Sequence, residues 1–262
     1  MKKLLFLALC CCLMVSCDNK TNEESESINE KNQVFLDASF FPDEAFRVAL
    51  CRLFPIAEGD AIPKEILKLK QLDLNNQGIK SLKGIEYFKR LEHLDCRNNL
   101  LTEIDFSKNS NLISFDCGHN QIKNIDVSKN TSLEALGCSN NQLTSIDVTN
   151  NPNLSILICN SNNIDYLNLA YNPKLTELGV NDCKMKSLDV SCNPDLEELY
   201  CNNNKIKELD LRMNKKIKNL YCKQFKKIKI ITSVDNPNIV EGNEFRNGIY
   251  DGRTFEVTHR NY

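Results

Sequence analysis

Leu91–Asn99 reads LEHLDCRNN. Leu94, Asp95 and Cys96 alternate apolar and polar, as a half-buried strand does, but with cysteine where a strand core takes leucine or valine. The phrase returns as LISFDCGHN from Leu112, LEALGCSNN from Leu133, LSILICNSN from Leu154, LEELYCNNN from Leu196 and IKNLYCK from Ile217. With Leu175 included, each start follows the last at one fixed interval, and Leu69 precedes Leu91 by a single residue more. The shared pattern is L-x-x-L-x-C-x-x-N-x-L-x-x-L-D-V-x-x-N-P. Seven coils in phase exclude coincidence, and they make the 262 residues an array rather than one or two globular domains.

A period of 20–29 residues with Asn or Cys at the turn fits an α/β-type leucine-rich-repeat solenoid. The expected fold is a right-handed curved array with a parallel concave β-sheet, short extended or 3₁₀ convex segments and few helices, since so short a coil leaves no room for a long crossover helix. Asn99, Asn120, Asn141, Asn162 and Asn204 stand where the strand turns inward, and an amide there can pair backbone groups that a tight bend would bury. Cys183 replaces it in one coil. A second column, Asn109, Asn130, Asn151, Asn172, Asn193 and Asn214, is followed by proline at Pro152, Pro173 and Pro194, marking the turn into the next strand.

The ladder Cys96, Cys117, Cys138, Cys159, Cys201 and Cys222, with Val180 in the same place, admits four explanations. Zinc needs ligands clustered as C-x-x-C pairs or with His, and nothing completes a tetrahedron here. In-register parallel strands hold equivalent Cβ atoms about 4.8 Å apart, beyond disulfide reach, and a sulfur pairs only once. A thiol among apolar neighbours is inert. Packing as a small hydrophobe remains. Cys183 and Cys192 lie off the ladder and Cys51 in the cap; a Cys183–Cys192 bond would span opposite sides of a coil. No metal and no cofactor is expected.

Net charge is −2, or −4 without Lys2 and Lys3, which argues against a nucleic-acid partner. The basic run from Lys205 to Lys229 reads as a solvated face or as an anion site. MKKLLFLALCCCLMVSC has two lysines and an apolar run too short to span a bilayer, as an export signal does. Its end, MVSC, resembles a bacterial lipobox, which would make Cys17 the lipidated residue and the membrane anchor. The expected organisation is a signal peptide at 1–16, a disordered tether at 17–36, an N-terminal cap at 37–68, repeats at 69–222 and a β-rich C-terminal cap at 223–262 with turns at Asn236-Pro237 and Asn247-Gly248.

Taken with FFPDEAFRVAL and LDLNNQGIKSLKGIEYFKRLEHLDC, the array resembles the cysteine-ladder internalins of Listeria and the leucine-rich-repeat surface lipoproteins of Bacteroides-type bacteria. The resemblance covers roughly residues 37 to 225. It implies a non-catalytic module, exposed at the cell envelope or outer membrane, that binds a protein or glycan. Relatives carry an EF-hand-like loop in the cap; FPIAEGDAIPKE keeps Gly59 and Glu65 but has Phe54 and Ile56 where oxygen ligands belong, so calcium is not expected.

Binding residues in such arrays flank the inward Leu and Cys. One outward column reads Asp73, Asp95, Asp116, Gly137, Ile158, Gly179, Tyr200, Tyr221; the other reads Gln71, His93, Ser114, Ala135, Ile156, Glu177, Glu198, Asn219. Outward Ile156 and Ile158 beside Tyr200 and Tyr221 suggest a partner site, with Asp95, Asp116, His93, Glu177 and Glu198 around it. A bland strand surface chosen for β-propensity is the competing account. The column Asp105, Asp126, Asp147, Asp189, Asp210 reads as turn capping in preference to a cation strip. His93, His119 and His259 are scattered, and no catalytic motif occurs. A monomeric binder of a protein or host-surface ligand is the leading expectation, with a glycan binder and a structural envelope component as alternatives.

Overall fold

The structure, a computed structural model, describes residues 33–222 and 228–232 and the backbone of 256–259. The expected signal peptide, Cys17, most of the tether, the two C-terminal turns and the His259 side chain lie outside the described residues. Helix α1 (Glu44–Leu53) and the one-turn α2 (Lys64–Leu67) precede β1 (Gln71–Asp73) and a 3₁₀ turn at Ile85–Tyr87. The strands β2 (His93–Asp95), β3 (Ser114–Asp116), β4 (Ala135–Gly137), β5 (Ile156–Ile158), β6 (Glu177–Gly179) and β7 (Glu198–Tyr200) follow, one per coil. Then come β8 (Glu208–Asp210), β9 (Asn219–Tyr221), β10 (Lys229–Thr232) and β11 (Glu256–His259).

β1 to β7 and β9 form one parallel sheet in chain order. Each residue pairs with its equivalent one coil on, so Leu94, Phe115, Leu136, Leu157, Leu178, Leu199 and Leu220 make one buried file. A one-residue slip would turn that file to solvent, so burial sets the register. On the other side of the core, β8 and β10 belong to a second sheet with β11. β10 pairs with β8 at an offset of one full coil (Lys229↔Glu208, Ile230↔Leu209), with Ile230 and Thr232 buried. The period therefore outlasts Cys222, where the sequence pattern had ended it. Thr232 hid the continuation by standing where Val190 and Leu211 stand in the preceding coils.

Both asparagine columns are ladders, buried except at half-buried Asn120. The Asn141 amide donates to Cys117 O and Cys138 O, both at 3.0 Å, and its oxygen accepts Ile122 N at 3.0 Å. Asn99, Asn120, Asn162 and Asn204 repeat the arrangement. Each side chain thus ties its own coil to the one before and pairs polar backbone that the bend removes from water. At Cys183 the thiol donates instead, to Cys159 O at 3.5 Å. The second column does more than mark a turn: the Asn151 amide donates to Val127 O (3.1 Å) and Asn130 O (2.8 Å), and Asn109 through Asn214 behave alike.

The six ladder cysteines are buried. Burial holds the thiols of Cys96, Cys117 and Cys201 well above their ordinary pKa and pushes Cys222 up to about 12. Cys51, Cys183 and Cys192 are free thiols, and Cys192 is exposed.

The cap begins earlier than expected. Val34 and Leu36 are buried, Ile62 N donates to Val34 O and Leu36 N to Asp60 O, both at 2.8 Å, so the tether ends before residue 34. Asp43 joins cap to array: it caps α1 by accepting Phe46 N at 2.9 Å, and its other oxygen accepts Lys80 N and Ser81 N at 2.8 and 2.9 Å. Buried Arg47 holds Glu58 at 2.7 Å and donates to Phe41 O at 2.8 Å. Gly84 has φ 109°, and a Cβ there would lie 2.2 Å from the Phe41 ring.

Candidate functional site

Since side chains alternate across a strand, placing Leu94 and Cys96 inward turns His93 and Asp95 outward, and likewise on every strand of the sheet. The predicted residues therefore share one face. They differ sharply in how much of them that face shows.

At the N-terminal end, Asp95 holds Arg97 through two contacts of 2.9 Å from Nε, and Arg97 Nε lies 3.7 Å from Asp116 Oδ2. Asp116 is only 8% exposed. Its Oδ1 accepts Gly118 N at 2.8 Å, and its carboxylate lies over Gly137, where a Cβ would meet it at 2.5–2.7 Å. Burial raises the Asp116 pKa to about 6 against the opposing pull of the Gly118 N–H and Arg97. His93 is half-buried in β2, while His119 sits on the turn after β3 with φ 56° and its Nε2 3.2 Å from Asn140 Nδ2.

Further along, Ile156 and Ile158 are half-buried rather than exposed. A Cβ on Gly179 would lie 3.1 Å from Ile158 Cδ1 and from the Asn160 amide, so both side chains lean over the glycine. Glu177 is 5% exposed. The apolar patch expected from the sequence is thus partly folded down, because glycine on the next strand offers a seat. Tyr200 and Tyr221 remain prominent: their rings stack at 4.8 Å with planes 9° apart. Tyr200 OH donates to Glu198 Oε2 at 2.6 Å, and burial followed by that contact raises the phenol pKa. Offset stacking of aromatic side chains on neighbouring strands stiffens both.

The opposite flank carries exposed apolar side chains outside the strands. Tyr166 is 67% exposed, Tyr171 60% and Met213 59%. Tyr171, exposed Cys192 and Met213 form one file, each a coil from the next and each preceding a second-ladder asparagine. The signal was available: the same column begins Lys108, Lys129, Asn150 and then turns apolar. The aspartate column on this flank caps turns, with Asp105, Asp126, Asp147 and Asp189 each accepting the N–H two residues on at 2.8–2.9 Å. Those hydrogen bonds lower the pKa values of Asp105, Asp126 and Asp189, and at Asp147 the Thr149 hydroxyl, donating at 2.7 Å, leads the backbone N–H in doing so. Within the basic run, Lys216 meets Asp195, Lys218 meets Glu197 and Lys229 meets Glu208, each one coil back, at 2.5–3.0 Å. Exposed pairs of this kind add little stability. Among the described residues no group of His, Cys, Asp and Glu could hold a metal ion, and no helix is long and apolar enough to cross a membrane.

One short strand per coil, a continuous parallel sheet and buried Leu, Cys and Asn files define the class: this is a leucine-rich-repeat solenoid. A family model described as leucine-rich repeats, two copies, matches residues 67–109. Among solved structures the chain is similar to the functional domain of InlJ from Listeria monocytogenes, which includes a cysteine ladder. Identity is 31% and the TM-score 0.74, over 88% of this chain and 49% of that one. The chain thus spans about half the length of that relative. Internalin C2 from the same organism, at 21% identity and a TM-score of 0.58 over 76% of this chain and 100% of its own, shares the fold. No curated protein matches.

Proposed function

We propose that the chain is a non-catalytic binding protein of the cell envelope, tethered through lipidated Cys17, that presents its sheet face to a protein partner. The observation that carries this reading is the Tyr200–Tyr221 stack beside Glu198, with Ile156 and Ile158 two strands from Tyr200 on the same sheet. Two tyrosines already ordered by one another lose little rotamer freedom on binding, and Tyr is favoured where partners bury surface. A protein fits better than a glycan because each ring has one face against the other and the Tyr200 hydroxyl is already engaged by Glu198. A sugar needs both an open ring face and open polar groups. The similarity to the InlJ domain supports a surface or secreted setting.

The file of Tyr171, Cys192 and Met213 gives the alternative site on the opposite flank. Photo-crosslinking on intact cells separates the two, with a benzophenone amino acid replacing Tyr221 in one protein and Tyr171 in another. A specific adduct from position 221, and a loss of at least tenfold in partner affinity for Tyr200→Ala with Tyr221→Ala, is the expected result. Adducts from position 171 alone would overturn the sheet-face assignment.

A further inference from the structure

Among the described residues Asp116 and Glu177 are the two buried carboxylates of the sheet face. Asp116 is buried at 8% exposure on a face where Asp73 is exposed and Asp95 half-buried. The cause is local: β4 offers Gly137 as its register partner, and the carboxylate lies down where a side chain would otherwise stand. Little compensates the lost water. One backbone N–H, from Gly118, reaches Oδ1. Arg97 is held by Asp95 and stays 3.7 Å from Oδ2. The charged and titratable groups facing Asp116 are Asp95 and Arg97 from the preceding coil and His119 from its own turn, while Gly137 adds none from the next.

We propose that Asp116, seated over Gly137 beside the Asp95–Arg97 pair, is a proton switch that sets the charge of the sheet face in mildly acidic medium. The trio Asp95, Arg97 and Asp116 carries a net −1 when Asp116 is ionised and 0 when it is protonated. Burial disfavours the ionised form and places the transition near pH 6. The folded pKa lies above the ordinary 3.8, so the folded chain binds the proton more tightly than the unfolded one. Stability from this group is therefore full below about pH 4 and declines as pH rises to about 6. A cationic group brought to this end of the face is attracted above the transition and released below it. The switch does not depend on which flank the partner uses.

The test is a ¹³C-detected carboxyl titration of the intact chain, with Asp116→Asn identifying the resonance. The expected midpoint is near 6. Gly137→Ala places a methyl 2.5–2.7 Å from the flexible end of Asp116 and should swing the carboxylate into water, moving the midpoint back towards 3.8. Asp95→Asn releases Arg97 to Asp116 and should lower the midpoint by a second route, which keeps the test decisive if Gly137→Ala does not fold. A midpoint already in the ordinary range for the unaltered chain, or one unmoved by these substitutions, would overturn the proposal.

Discussion

Asn141 shows how a single side chain closes a coil. Its amide serves two carbonyls, Cys117 O and Cys138 O, and its oxygen serves Ile122 N, all inside the core. An unpaired buried group costs about 1–3 kcal/mol, so Asn141→Ala should lower unfolding free energy by roughly 3 kcal/mol after partial relaxation. Cys183 occupies the equivalent place with a thiol, a weaker donor at 3.5 Å from Cys159 O. Cys183→Asn should therefore raise stability by about 1 kcal/mol. Urea unfolding of the two variants beside the parent checks both signs; a destabilising Cys183→Asn would mean that the coil has closed around sulfur. One further residue type was illegible. Asn98, His119, Asn140, Ser161, Asp182 and Asn203 all have φ near 55°, once per coil. The position accepts the residues that tolerate left-handed backbone, but their variety disguises it in a sequence without glycine there.

Elements depend on what their neighbours leave room for. Gly84 opens the 3₁₀ turn at φ 109° directly against Phe41, whose ring also meets Phe46, Tyr87 and Phe88. Gly84→Ala adds a clash with a fixed ring to a strained backbone and should cost about 3 kcal/mol, seen as a lower urea midpoint with loss of cap before repeats. The strands themselves were legible from the period, because an inward Leu or Phe followed two residues on by Cys or Val returns at every Leu91-type start. What the period could not convey was the partner's size. Ile158 reads as outward and exposed until Gly179 is known to sit beside it, and Asp116 likewise until Gly137 is. Both glycines lie a whole coil away in sequence but only one strand away in space. The stretch from Val34 to Leu36 was lost for a related reason. Its pairing with residues 60–62 is specified by nothing local, and the polar run before it looks continuous with it.

In the whole molecule each coil buries its apolar side only against its neighbours, so stability is shared along the array. The thiols report on that sharing. Cys96, Cys117, Cys138, Cys159, Cys201 and Cys222 lie on six strands or their ends from β2 to β9 and are all buried, whereas Cys192 is exposed on the other flank. A thiol reagent added to the native chain should label Cys192 at once and the six ladder positions at a rate set by opening of the array. If the coils open as a unit, the six react with one common rate, and that rate rises with urea along the global unfolding curve. If the array frays from its ends, Cys96 and Cys222 react ahead of Cys138 and Cys159. Asn141→Ala sharpens the distinction, because it weakens the joint between the coils of Cys117 and Cys138. In a cooperative array it should accelerate all six together; in a weakly coupled one it should divide them into two groups at that joint. Mass spectrometry of the labelled peptides resolves the outcomes. Rapid labelling of the ladder in the unperturbed chain would contradict the buried, thiolate-disfavouring column on which the core is built.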